Sequence, residues 1–114
     1  MNIVNAKIKD TFLGREDHGH FTFCLYVDME KGSVGIGGYS LDQYDRDTKK
    51  RVFRAESMEA ISKILSVVGV NKWEDLPGKY IRVEDVRWGD CISKIGNIIE
   101  DNWFDMKQFF SNKE

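Results

Sequence analysis

"GREDHGHFTF", residues 14–23, sets two histidines, two carboxylates and an arginine directly before an aromatic, alternating run. Read as a turn, it joins two strands. Read as a metal or catalytic cluster, it makes the chain an enzyme. The flanks favour the turn. In residues 2–13, Val4, Ala6, Ile8 and Phe12 share one parity while Asn5, Lys7 and Lys9 share the other, the pattern of a half-buried strand. In residues 20–28, Phe21, Phe23, Leu25 and Val27 alternate with His20, Thr22, Cys24 and Tyr26. Two such runs around a short polar link, bounded by Gly14 and Gly19, predict an antiparallel hairpin. Asp17 or His18 can hydrogen-bond the turn backbone. A ligand role for His18, donating to a phosphate or a ribose, stays open beside that structural one.

The chemistry-bearing alternatives are thin. A zinc site needs three or four converging ligands. The chain holds two histidines, His18 and His20, and two widely separated cysteines, Cys24 and Cys91. No metal and no cofactor are expected. Cys24 alternates within a strand, which is not the exposed electropositive setting of a reactive thiol. Glu84–Asp85 and Glu100–Asp101 are adjacent pairs, so on strands each pair splits between faces. "GIGGYS", residues 35–40, lacks the Lys-Ser or Lys-Thr of a phosphate loop and the long helix of a dinucleotide motif. The chain therefore reads as a binding protein and not an enzyme.

Further along, the glycine-bearing residues 34–41 predict a bulged third strand open to close approach. Residues 42–51, "DQYDRDTKKR", read as a solvated charged loop or a strand-to-helix excursion. Ile61, Ile64, Leu65 and Val68 form one helical stripe over residues 58–68, with Ser57 as N-cap and Gly69 as stop. "NKWEDL" predicts a second short helix capped by Asn71 and ended by Pro77 and Gly78. Strands return at "KYIRVEDVRW", where Tyr80 and Arg82 share a face, and in one long run at "CISKIGNIIED". "DMKQFF" predicts a short C-terminal helix docked through Phe109 and Phe110. The class is α+β in a single domain, 1–114. It has a mainly antiparallel sheet of about five strands, two helices inserted between strands 3 and 4, and a short C-terminal helix.

With 114 residues, 32% charged and net −2, the chain lacks the basic footprint of a duplex nucleic-acid binder. No apolar run approaches the ~20 residues that span a bilayer, and no secretory signal is visible. Aromatics reach 12%, enough both to fill a core and to build platforms for planar ligands. The ligand-facing candidates follow from side-chain chemistry. Arg82 and Arg87, near Trp88, suit a phosphate. Asn97 offers a donor and an acceptor to a base edge or ribose. Trp103 can stack on a ring or pack the core. Tyr39 sits beside the glycines of the third strand.

"NAKI", "LGREDHG", "IGGYSLD", "VVGVNKWEDLPGKYIRV" and "IGNIIEDNWFD" together resemble a family of small proteins of phage and prophage genomes, from Asn5 to Phe110. The size and strand–helix–strand order are similar to the first family of Thoeris anti-defence proteins. That resemblance implies a homo-oligomer in the bacterial host cytoplasm. It would bind a nucleotide-derived small molecule, of cyclic ADP-ribose or cyclic oligonucleotide type, between protomers without cleaving it. "RVFRAESMEA", residues 51–60, departs from the glycine-rich version of that group. Two other readings stand beside it. One is an interaction module inhibiting a host protein through residues 42–51 or a strand edge. The other is a single-stranded nucleic-acid binder using aromatics on a sheet.

Overall fold

The first two alternating runs pair as expected. In this computed structural model, which describes residues 2–17, 19–86 and 90–112, β1 (Asn2–Arg15) and β2 (Phe21–Met29) run antiparallel. The turn between them closes through the Glu16 N–H donating to the His20 carbonyl at 3.0 Å and the Gly19 N–H donating to the Glu16 carbonyl at 2.9 Å. His18 lies outside the described residues, as does Arg87.

β3 (Gly32–Ser40) pairs with β2, and β6 (Tyr80–Asp85) pairs with the other edge of β1. β7 (Lys94–Gly96) and β8 (Trp103–Asp105) extend the sheet in the order β3-β2-β1-β6-β7-β8, every neighbour antiparallel. The main sheet thus has six strands where the sequence suggested about five. The long run expected over residues 91–101 shrinks to β7, and Asn97 starts a turn instead of continuing a strand.

β1 is not uniform. Its register with β2 shifts between Ile8 and Asp10, a bulge around Lys9. Before the shift, Ala6 and Ile8 face the core. After it, Leu13 opposes buried Phe23, while Phe12 opposes Cys24. Directly opposed residues share a face. Phe12 therefore leaves the side held by Val4, Ala6 and Ile8, contrary to the simple alternation.

The charged segment after β3 is not a loop. It forms a two-stranded ribbon, β4 (Asp42–Asp45) with β5 (Lys50–Phe53). A lone hairpin is marginal in water. This one is tethered by Asp42, whose side chain is buried. The carboxylate accepts from Arg51 Nε (3.0 Å) and Nη2 (2.8 Å), from the Phe21 N–H (3.1 Å) and from Ser40 Oγ (3.2 Å). Those bonds, led by Arg51, hold its pKa down at about 2.

α1 (Ser57–Val68) buries Ala60, Ile61, Ile64 and Val67 and packs over β7 and β8. Gly69 ends it in the left-handed conformation. Ser57 is not its cap. It lies inside the helix and its hydroxyl donates to the Leu41 carbonyl at 2.6 Å, satisfying a buried acceptor, while Glu56 holds the cap position. The expected second helix is a single 3₁₀ turn, Trp73–Asp75, preceded by Lys72 and not capped by Asn71. α2 (Met106–Asn112) docks Phe110 against Phe23 and Tyr39. Both helices lie on one side of the sheet. Among the described residues, no helix covers the other side.

Replacing Asp42 by Asn leaves buried donors and the Arg51 charge with a poorer partner. We expect a loss of about 2–3 kcal/mol in urea unfolding. Because the folded pKa is lowered from 3.8 to about 2, the stability Asp42 adds is complete above pH 3.8 and is lost as pH falls towards 2. The gap between wild type and Asp42→Asn should narrow over that window; a gap independent of pH contradicts the anchor.

Candidate functional site: the open face of the sheet

Rows of opposed residues cross the uncovered face. Asp28, Lys7 and Tyr80 form one row; Asn5, Arg82, Gly96 and Trp103 form the next. Tyr26 opposes Asp10 further along. Tyr80 and Tyr26 are exposed, at 54% and 39%.

Two rings on this face each carry a cation. The Lys7 ammonium lies 5.7 Å from the centre of the Tyr80 ring, and the Arg82 guanidinium 5.3 Å from the centre of Trp103. Such pairs are within the range of favourable cation–π contact. Arg82 is held further. Its Nε donates to the Asn97 carbonyl at 2.6 Å and Nη2 to the Glu100 carbonyl at 2.7 Å. Carbonyls accept hydrogen bonds without cancelling the charge. The Trp103 ring lies directly on Gly96: a Cβ there would come within 2.6 Å of Trp103 Cδ2. That contact explains the glycine at the end of β7.

Asn97 is committed within the chain. Its Oδ1 accepts from the Ile99 and Glu100 N–H groups, both at 2.9 Å, and its Nδ2 donates to the Val67 carbonyl at 2.9 Å. It pins the turn 97–102 to the end of α1. The structure thus gathers Arg82, Asn97 and Trp103 into one cluster that holds this turn. It does not bring in Tyr39, which stacks on Phe110 at 4.9 Å on the helix-covered side; burial pushes its phenol pKa up.

Two of the clefts among the described residues open on this face beside the ring–cation units and the hairpin. One, of about 390 Å³, is lined by Ile3, Arg82, Glu84, Lys94, Asp101 and Trp103. Its two cations meet two carboxylates, with Lys94 3.5 Å from Glu84, so it offers a ring and hydrogen-bonding groups with little net charge. The second, of about 430 Å³, lies at the hairpin and includes Phe12, Arg15, Asp17, His20, Cys24 and Tyr26. Here His20 Nδ1 is 2.9 Å from Glu16. Burial raises the Cys24 thiol pKa above its ordinary value. A thiol held protonated in this way is a poor nucleophile. Among the described residues, no three His, Cys, Asp or Glu side chains group as a metal site, and no helix is long and apolar enough to cross a membrane.

Sequence reasoning missed Lys7 and Tyr26 as site residues and named Tyr80 only as a neighbour of Arg82. The alternation in β1, β2 and β6 carried their facing. The pairing register that sets Lys7 beside Tyr80 was not in the pattern. Against known protein families, curated proteins and solved structures, the chain matches none.

Substituting Arg82 by Met, or Asn97 by Ala, should free the turn 97–102. We expect a loss of about 1–3 kcal/mol in urea unfolding for each. Amide exchange at Ile99 and Glu100 should also quicken. Unchanged exchange at those two amides contradicts the cluster's holding role.

Proposed function

We propose that the chain binds a nucleotide-class ligand on its open sheet face and leaves it intact. The observation carrying this reading is the pair of ring–cation units, Lys7–Tyr80 and Arg82–Trp103, on a face that no helix covers. An aromatic ring stacks on any base, contributing about 1–3 kcal/mol per base, and the neighbouring cation suits a phosphate. Lys7 beside Tyr80 is the more open position, with Tyr80 54% exposed; Asp28 faces Lys7 there as Glu84 and Asp101 face the cations of the Trp103 cleft. The resemblance to phage anti-defence proteins supplies the setting: sequestration of a cyclic ADP-ribose-type or cyclic oligonucleotide signal in a bacterial host. A flat face encloses little of a small molecule, so this reading has a second copy closing the site.

The spacing of the rings favours a second reading. Tyr26, Tyr80 and Trp103 stand on β2, β6 and β8, in a diagonal across the face. Strand spacing puts successive ring positions roughly 12 Å apart. A cyclic dinucleotide reaches two of them; a single-stranded oligonucleotide can follow all three.

Calorimetry against cyclic ADP-ribose isomers, cyclic dinucleotides and short single-stranded DNA and RNA separates the two. Stoichiometric binding of a small cyclic nucleotide, recovered unchanged, supports sequestration. Binding of oligonucleotides alone supports the second reading. Tyr80→Ala should weaken whichever binds by about 5- to 150-fold while the fold persists, because the side chain is exposed. Silence across the panel overturns both.

A further inference from the structure

One face of the Trp103 indole rests on β7. The Cβ that Gly96 lacks would stand 2.6, 2.7 and 2.7 Å from ring atoms Cδ2, Cε2 and Cε3, so it meets the face of the ring and not its edge. The opposite face is turned away from that strand, and the ring lines the cleft of about 390 Å³ on the open face. A base of any identity stacks on such a ring. Telling one base from another requires hydrogen-bonding groups at its edge.

The cleft holds such groups. Glu84 and Lys94 stand two residues beyond the opposed pair Arg82 and Gly96, on the same face of the sheet. Lys94 Nζ is 3.5 Å from Glu84 Oε2, longer than a good hydrogen bond, so both carboxylate oxygens keep the capacity to accept. Two acceptors therefore lie side by side with a donor next to them. Among the common bases, guanine alone carries the complement along one edge: N2–H and N1–H donate in succession and O6 accepts beside them. Adenine sets one donor beside one acceptor. Cytosine sets one donor beside two acceptors, and uracil sets its donor between two. Glu84 is the more shielded of the pair, at 19% side-chain exposure against 42% for Lys94, so a base that leaves its oxygens without donors is disfavoured.

Charge agrees with a base here and not a phosphate. The cations are Arg82, already donating to the Asn97 and Glu100 carbonyls, and Lys94. Against them stand Glu84, Asp101 and, opposite Lys94, Asp105. Three carboxylates against two cations repel an anion, whereas a neutral base edge is indifferent to the balance and uses the individual donors and acceptors. Resting on the nucleotide reading of the open face, we propose that this cleft is a guanine subsite. The base stacks on Trp103, Glu84 accepts from its N1–H and N2–H, and Lys94 donates to its O6. The ligand class narrows to guanine nucleotides, which sets aside the cyclic ADP-ribose isomers, whose base is adenine.

Calorimetry with cyclic di-GMP and cyclic di-AMP tests it, because the two share sugars, phosphates and ring closure and differ only in the base. Wild type should bind cyclic di-GMP roughly 5- to 150-fold more tightly. Cyclic di-IMP, which lacks the N2 amine, should fall between them. In Glu84→Gln the preference should vanish, since the amide turns a donor towards guanine's own donors. Losing a negative charge alone raises both affinities together, so the ratio is the readout and not either affinity. Asp101→Asn, which alters the cleft's other carboxylate, should keep the preference. Equal affinities in wild type, tighter binding of cyclic di-AMP, or a preference undiminished in Glu84→Gln overturns the guanine subsite and leaves the nucleotide reading standing. Binding of neither also overturns the subsite; the nucleotide reading falls with it only if cyclic ADP-ribose isomers and single strands are silent too.

Discussion

A single extra residue in the central strand organises both surfaces of this protein. β1 bonds β6 along its first half and β2 along most of its length, and the bulge around Lys9 lies where the pairing with β6 ends. Side chains alternate strictly along a strand, so one inserted residue exchanges the faces of everything beyond it. Ala6 and Ile8 stay in the core; Leu13 moves to the rim of an apolar hollow on the helix side and Phe12 to the hairpin cleft. Without the bulge, Leu13 would join Cys24 and Tyr26 on the open face, and the hollow would lose a wall.

The two arginines that hold irregular structure do so in different electrostatic settings. Arg51 is matched by Asp42 in a bidentate pair, and its charge is consumed in tethering the ribbon. Arg82 is matched by two carbonyls and a ring, so it fixes the turn 97–102 while keeping its charge. The first arrangement is anchorage alone. The second leaves a cation beside an aromatic ring, which is why the same residue enters both the stability of the turn and the proposed ligand face.

The legible parts of the fold were those governed by neighbours in sequence. The β1–β2 hairpin, the glycine-bearing β3 and the α1 stripe ended by Gly69 all follow from period and local turn chemistry. The illegible parts depended on distant partners. The ribbon looked like a loop because its charges suggested solvent, yet Asp42 is buried by bonds from Arg51, Phe21 and Ser40. Nothing local to Gly96 shows that it makes room for a ring seven residues away. Of the candidates named from sequence, Arg82, Asn97 and Trp103 lie together in the structure through bonds that the sequence does not show, and Tyr39 lies with Phe110 on the other side.

Sequence by itself determined the α+β class, the antiparallel start and the helix at α1, because apolar periodicity and turn residues act over a few positions; the helix buries Ala60 and Val67 more fully than the expected Leu65 and Val68. Only the tertiary structure decided strand order, the face on which Phe12 and Leu13 emerge, the pairing of Lys7 with Tyr80, and the placing of Glu84 and Lys94 in one cleft with Trp103. These depend on register between strands far apart in the chain, and register is fixed by the summed fit of many weak contacts that no local pattern encodes.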